Sequence, residues 1–85
     1  MRLIPLKAVS ETIDFKKGGI VKYETDQVVD QEGIILLENP DGTYGMVLID
    51  QVHRSGNVQV VMRPVHTPVK RYEIGQVIAQ LAIFE

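Results

Sequence analysis

The fold is decided by the stretch Tyr72-Glu73-Ile74-Gly75-Gln76-Val77-Ile78-Ala79-Gln80-Leu81-Ala82-Ile83-Phe84. Gly75 favours a turn between two apolar strand-like runs, and the second run, residues 77–84, is apolar except for Gln80. A strand of this composition is typical of one that is buried on both faces. A buried amide without hydrogen-bond partners costs about 1–3 kcal/mol, so Gln80 either links the core together or contacts a ligand.

The length and the cysteine content limit how this chain is stabilised. It has 85 residues, the size of one domain, and we expect residues 1–85 to form a single unit. It has no cysteine and only two histidines, so the sequence predicts no disulfide and no metal site built by the protein alone. Small β domains without such links often gain stability by oligomerising, which predicts a homo-oligomer.

The charge balance and the hydropathy exclude several classes of partner. Nine Lys and Arg residues stand against eleven Asp and Glu residues, which argues against a broad surface for duplex nucleic acid. No stretch approaches the roughly 18 apolar residues of a membrane span, and the first residues lack the pattern of a secretion signal. We therefore expect a soluble, cytoplasmic protein with no membrane partner.

Short apolar runs bounded by turn residues follow one another along the chain. The predicted strands are 3–6, 12–15, 20–23, 28–29, 34–38, 44–50, 57–63 and 77–84. Pro5 restricts the first strand to a sheet edge or a strand start, and residues 39–42 have the composition of a tight turn. Strands 44–50 and 57–63 are predicted to form a hairpin around the polar loop 51–56. No window has the uninterrupted apolar spacing of a helix, so we predict an all-β sandwich or barrel.

Several segments resemble motifs of the dUTPase-like superfamily, which includes the dUTPases and the dCTP deaminases. Residues 75–81 are similar to its last core motif, and residues 41–45 look like the turn before its second motif. Ile49-Asp50-Gln51-Val52-His53-Arg54-Ser55-Gly56 resembles its third motif with one residue added. Ile13-Asp14-Phe15 is similar to its first motif. The matches occur in the family's order and cover most of the chain.

The resemblance implies a β-clip fold, which is a distorted antiparallel barrel whose three subunits place nucleotide sites between neighbours. In the family's enzymes the aspartate that matches Asp50 orients the attacking water. The position that matches His53 stacks under the deoxyribose, and the glutamine that matches Gln80 serves the phosphates, with Mg²⁺ present. Arg54-Ser55 has the letters of the second motif's phosphate-binding pair, although it stands in the third motif's place.

The chain also departs from the family pattern. The segment that carries the second motif is absent, because Met46 follows Gly45 directly and leads into Asp50. Val77 stands where the family has a basic residue, and His53 stands where it has a tyrosine. Phosphate-ester cleavage relies mostly on positioning and charge stabilisation, so these losses predict little or no dUTPase turnover.

The residues around Asp50 allow two interpretations. As a ligand site, Arg54 would bind a phosphate, His53 would contact a sugar, and Asp50 would order water or a cation. As a structural turn, Asp50 would cap backbone N–H groups, while His53 and Arg54 would be solvated loop residues. Lys16-Lys17-Gly18-Gly19 lacks the spacing of a phosphate-binding loop and is predicted to be a simple turn.

Two functions from different classes follow. The first is a compact dUTPase-like protein that binds a nucleotide or a nucleotide-derived ligand in inter-subunit pockets, with Asp50, His53, Arg54, Ser55 and Gln80 at the site. The second is a non-catalytic trimeric protein that decorates a larger particle or blocks a partner. A slow dUTP pyrophosphatase or a deaminase that uses Asp50 is a third alternative.

Overall fold

The structure, a computed structural model, describes residues 1–39 and 44–84. Seven strands form one antiparallel sheet in the order β4-β6-β2-β1-β7-β3-β5. The strands are β1 (Arg2–Asp14), β2 (Ile20–Val28), β3 (Gly33–Leu37), β4 (Met46–Leu48), β5 (Val52–His53), β6 (Asn57–Pro64) and β7 (Val77–Ile83). A short 3-10 turn, Phe15–Lys17, is the one helical element among the described residues. The predicted all-β class is confirmed.

The sheet curls because its two edge strands belong to one segment, residues 46–53. Within this segment β4 pairs with β6, whereas β5 pairs with β3 at the other end of the sheet. The residues that link β4 to β5 continue both pairings. The Ile49 N–H donates to the Val61 carbonyl of β6, and the Gln51 carbonyl accepts from the Ile35 N–H of β3. The result is a curled half-barrel, which is compatible with the predicted distorted barrel and with a β-clip.

β1 is one long strand where the sequence predicted two, at 3–6 and 12–15. Residues 2–7 pair with β7, and residues 8–14 pair with β2. Register shifts near the change of partner mark bulges, which let a strand bend into a second ladder without ending. β1 lies between β2 and β7 and is not an edge strand as predicted, but Pro5 lies in the half that pairs with β7 alone and so has one ladder partner.

Two other strand predictions were wrong. The predicted strand 20–23 and Val28 of the predicted strand 28–29 belong to the single strand β2, which ends before Val29. Thr25 is accommodated in the middle of β2 because it donates a hydrogen bond to the Val58 carbonyl at 2.8 Å. Residues 72–74 are not a strand, since the Tyr72 N–H donates to the Tyr23 hydroxyl instead of to a ladder partner. The turn predicted at Gly75 is confirmed, with a φ of 93°. Residues 40–42 of the other predicted turn lie outside the described residues.

The core lies inside the curled sheet. Alternate residues of β6 point inward, and Val58, Val60 and Met62 are fully buried, as their alternation predicted. Residues 77–83 of β7 are buried or half-buried on both faces, which confirms the interpretation of the run 77–84 as far as Ile83, whereas Phe84 is exposed. β7 is enclosed in this way because it lies between β1 and β3 in the sheet. The predicted hairpin of β4 and β6 is confirmed, although its loop also contains β5.

Candidate functional site

Asp50 lies at the point where segment 46–53 changes from β6 to β3. Its side chain is exposed, and Oδ1 accepts a hydrogen bond from the Val52 N–H at 3.0 Å. This contact is the backbone-capping role that the structural interpretation assigned to Asp50. The carboxylate therefore shapes the turn whether or not it also meets a ligand.

His53 lies inside the barrel wall at the end of β5. Its side chain is 6% exposed, and Nε2 lies 2.7 Å from the Val29 carbonyl oxygen. A carbonyl oxygen only accepts, so Nε2 is the donor in this bond. The burial leaves little of the ring for a sugar to stack on, and the predicted description of His53 as a solvated loop residue does not apply.

One small cleft brings together three of the five predicted site residues. Asp50, His53 and Arg54 line a cleft of about 130 Å³, together with Asn57 and Gln59 of β6. Sites for small organic ligands usually measure about 300–1,000 Å³, so this cleft has room for a phosphate or part of a sugar. A whole nucleotide would need further walls from a second molecule.

The remaining two predicted residues, Ser55 and Gln80, do not line that cleft. Ser55 is exposed in the bend between β5 and β6. Gln80 lies in the middle of β7, opposite Pro5 on one side and Leu36 on the other. Its Nε2 donates to Glu38 Oε1 at 2.8 Å, so the amide is satisfied at the outer surface instead of in the core. Within one protomer the fold does not bring Gln80 to the Asp50 cleft.

An apolar outer surface surrounds Gln80, and sequence reasoning missed it. One row across the sheet runs from Leu3 of β1 through Ala82 of β7 and Ile34 of β3 to Val52 of β5. Ala82 is 1% exposed, whereas the side chains around it are open to solvent. We call this surface the apolar face, and its exposed large side chains are Leu3 (51%), Ile34 (39%), Leu36 (48%), Val52 (43%) and Phe84 (65%).

A signal for the apolar face was present in the sequence. Residues 34–37 are apolar without alternation, although a strand with one solvated face normally alternates apolar and polar residues. Ile35 is 2% exposed and faces the core, so Ile34 and Leu36 must point outward. The unbroken run therefore indicated a second apolar surface on β3.

Within residues 1–39 and 44–84, no group of three or more His, Cys, Asp or Glu side chains is placed to hold a metal ion. No helix in this part of the chain combines the length and the apolar sequence that crossing a membrane requires.

No family model matches this chain, and neither a curated protein nor a solved structure matches it. The likeness to the dUTPase-like superfamily therefore rests on the motif residues themselves. The family assignment stays a prediction.

Proposed function

We propose that this chain is a non-catalytic interaction domain that self-associates through the apolar face. The single observation that carries the proposal is the cluster of large apolar side chains left open across β1, β7, β3 and β5. Contiguous exposed apolar surface of this kind marks interaction sites on soluble proteins, since leaving it in water costs free energy.

The composition of the face favours a second copy of the chain as its partner. The row from Leu3 through Ala82 and Ile34 has no charged side chain, so whatever covers it must also be apolar. An identical face meets this requirement without any other protein, and symmetric association is the commonest form of protein assembly. Three copies is the number that the family resemblance implies.

The small size of the domain gives a further reason for association. A chain of 85 residues buries a limited fraction of its surface, and this one has no disulfide to compensate. Covering Leu36 and Phe84 between copies would add apolar burial that one protomer lacks. Gln80 would then lie at the subunit boundary, with its amide already bonded to Glu38.

Sedimentation equilibrium of the wild-type chain and of two matched variants tests this proposal. We expect the wild type to sediment as a multiple of 9.5 kDa and Leu36→Asp to shift the population to the monomer. Ile74→Asp is the control, because Ile74 is similarly exposed but lies in the loop before β7. A wild-type monomer at high concentration, or equal effects of the two substitutions, would overturn the proposal.

A second candidate function is binding of a nucleotide or another phosphorylated nucleoside at the Asp50 cleft. The observation that favours it is that Asp50, His53 and Arg54 line one cleft, which is too small unless a neighbouring subunit completes it. Arg54 would bind a phosphate with its guanidinium group. Asp50 is a single carboxylate, so Mg²⁺ would be held mainly by the ligand's own phosphates and by water.

Thermal melting with dUTP, dUMP or dCTP tests the second candidate. A ligand that binds only the folded state raises Tm by an amount that grows with the logarithm of its concentration relative to Kd, and Arg54→Gln should remove the rise. Arg71→Gln is the control, because Arg71 pairs with Glu11 at 3.3 Å, away from the cleft. No rise with any of the three ligands would eliminate the nucleotide site.

Turnover is a separate question from binding. Pyrophosphate release from dUTP and ammonia release from dCTP are expected to stay at background. If either activity appears and Asp50→Asn leaves it unchanged, Asp50 does not have the catalytic role that the resemblance implies.

A further inference from the structure

A second outer surface lies on β2, β6 and β4, on a different part of the sheet from the apolar face. Here Val47 of β4 is opposite Arg63 of β6, and Val61 of β6 is opposite Lys22 of β2. Apolar and cationic side chains therefore alternate across neighbouring strands. Lys17 adds a further cation from the turn that joins β1 to β2. We call this surface the cationic face.

Two adjoining clefts open on the cationic face. The first measures about 520 Å³ and is lined by Lys17 and Arg63. The second measures about 450 Å³ and is lined by Lys17 and Lys22. Ile20 and Ile49 belong to both, so the clefts share an apolar floor. Each volume lies in the range of about 300–1,000 Å³ that is usual for small organic ligands.

Two of the three cations that line these clefts, Lys17 and Arg63, have no carboxylate partner among the described residues. Among residues 1–39 and 44–84, no carboxylate lies within 4.0 Å of the Lys17 or Arg63 side-chain nitrogens. Lys22 has a carboxylate partner, Glu24, at 3.4 Å. Asp14 also lines the second cleft, so the excess of positive charge is larger at the first cleft, whose lining has no carboxylate.

The positive character of this face does not follow from the composition of the chain. The net charge of the whole chain is −2 at pH 7. The first cleft nevertheless has two cations and no carboxylate among its lining residues. A local excess of positive charge in a negatively charged chain attracts anions to that surface.

We propose that the cationic face binds an organic anion, whose phosphate or carboxylate group lies between Lys17 and Arg63 and whose apolar body covers Ile20 and Ile49. Arg63 suits this role because its planar guanidinium can donate two parallel hydrogen bonds to such a group. The apolar floor favours an organic anion over an inorganic ion, because an inorganic ion has no apolar part to contact Ile20 and Ile49. The site is independent of self-association through the apolar face.

The test is a titration followed by amide chemical shifts in two-dimensional NMR spectra. The probe is 1-naphthyl phosphate, inorganic phosphate supplies the anion alone, and 1-naphthyl glucoside supplies the aromatic body alone. We expect 1-naphthyl phosphate to shift the amides of Lys17, Ile20, Val47 and Leu48 and to bind at least about ten-fold more tightly than either control compound. A naphthoate titration separates carboxylate from phosphate preference.

Variants make the assignment specific. Lys17→Gln with Arg63→Gln should weaken binding by about ten-fold or more, and added salt should weaken wild-type binding. Arg71→Gln is the matched control and should bind like the wild type. Lys17 and Arg63 are exposed, so we expect both variants to fold, and their unperturbed spectra verify this.

Three results would overturn the proposal. They are an absence of shifts at the solubility limit of 1-naphthyl phosphate, shifts centred on Arg54 or on the apolar face, and equal binding of inorganic phosphate. Sedimentation of the wild type is a separate measurement, so failure here and failure of self-association are distinguishable.

Discussion

At the scale of single residues, a tyrosine cluster attaches the loop 65–76 to the barrel. The Tyr23 hydroxyl accepts from the Tyr72 N–H at 3.0 Å and donates to the Tyr72 carbonyl at 3.3 Å. The Tyr72 ring stacks on Tyr44 at 4.1 Å and meets Tyr23 edge-on at 5.9 Å. The hydroxyl therefore satisfies the backbone of a segment that lacks a ladder of its own.

Replacing Tyr23 with Phe keeps the ring and removes this link. We expect Tyr23→Phe to lower the free energy of unfolding by about 1–3 kcal/mol at pH 7, because buried backbone groups of Tyr72 lose their partner. Urea denaturation measures the change. Tyr44→Phe is the control and should cost less, since the Tyr44 hydroxyl only accepts from the half-buried Gln76 amide at 3.2 Å.

The same hydroxyl predicts a loss of stability at alkaline pH. Burial raises the pKa of Tyr23 above its ordinary value of 10.0, and the neighbouring Glu11 carboxylate raises it further. Below about pH 10 the hydroxyl keeps its proton in both states, and its contribution to stability is complete. As the pH rises further, the unfolded chain loses that proton first, so the free energy of unfolding falls. If Tyr23→Phe shows the same alkaline slope as the wild type, another group is responsible.

Two glycines provide a matched pair for separating backbone strain from packing. Gly45 and Gly56 have positive φ angles of 66° and 92°. A Cβ on Gly45 would lie 2.6 Å from the Pro68 carbonyl oxygen, whereas one on Gly56 would meet no atom within 4 Å. Gly56→Ala should therefore cost about 1–2 kcal/mol from strain alone, and Gly45→Ala should cost clearly more. Equal losses in thermal or urea unfolding would show that the loop moves away freely.

At the scale of elements, segment 46–53 is the part of the chain that closes the barrel. Its first strand, β4, pairs with β6, and its second strand, β5, pairs with β3. The turn between β4 and β5 is held by the hydrogen bond from the Val52 N–H to Asp50. Asp50 therefore contributes to the stability of this turn even if it has no ligand.

Two substitutions of Asp50 separate its structural role from a catalytic one. Asp50→Asn keeps an acceptor oxygen and should leave stability within about 0.5 kcal/mol, whereas Asp50→Ala should cost about 1 kcal/mol. Urea unfolding and the hydrogen exchange of the Val52 amide measure the effect. If Asp50→Ala is as stable as the wild type, the turn does not depend on this carboxylate.

At the scale of the whole molecule, the sheet joins the two ends of the chain. Arg2 of β1 is opposite Ile83 of β7, and β7 lies between β1 and β3. The barrel therefore cannot form from one local piece of the sequence. Non-local pairing of this kind slows folding, because the entropy of closing a long loop is lost before the contacts form.

Removing residues 77–85 is expected to unfold the whole chain. The deletion takes away fully buried side chains such as Ile78 and Leu81 and exposes the edges of both β1 and β3. Circular dichroism and the dispersion of amide shifts measure the outcome. A shortened chain 1–76 that keeps a dispersed spectrum would show that the remaining strands fold without β7.

The local pattern of the sequence determined which residues form strands and which side chains face inward. Alternation placed Val58, Val60 and Met62 in the core, and the composition of residues 77–84 indicated burial on both faces. These features depend on neighbours in the chain, because successive side chains of a strand point to opposite faces.

Only the tertiary structure decided which strands pair, and therefore which predicted site residues meet. Gln80 lies beside Leu36 and Glu38 because β7 pairs with β3, and the Asp50 cleft includes residues of β6 because segment 46–53 changes partner there. The same pairing joins Ile34 to Leu3 across Ala82 and leaves both exposed. The alternation of apolar and polar residues in the sequence shows which side chains of a strand share a face. It does not show which strands pair, because pairing is selected by contacts between residues far apart in the chain.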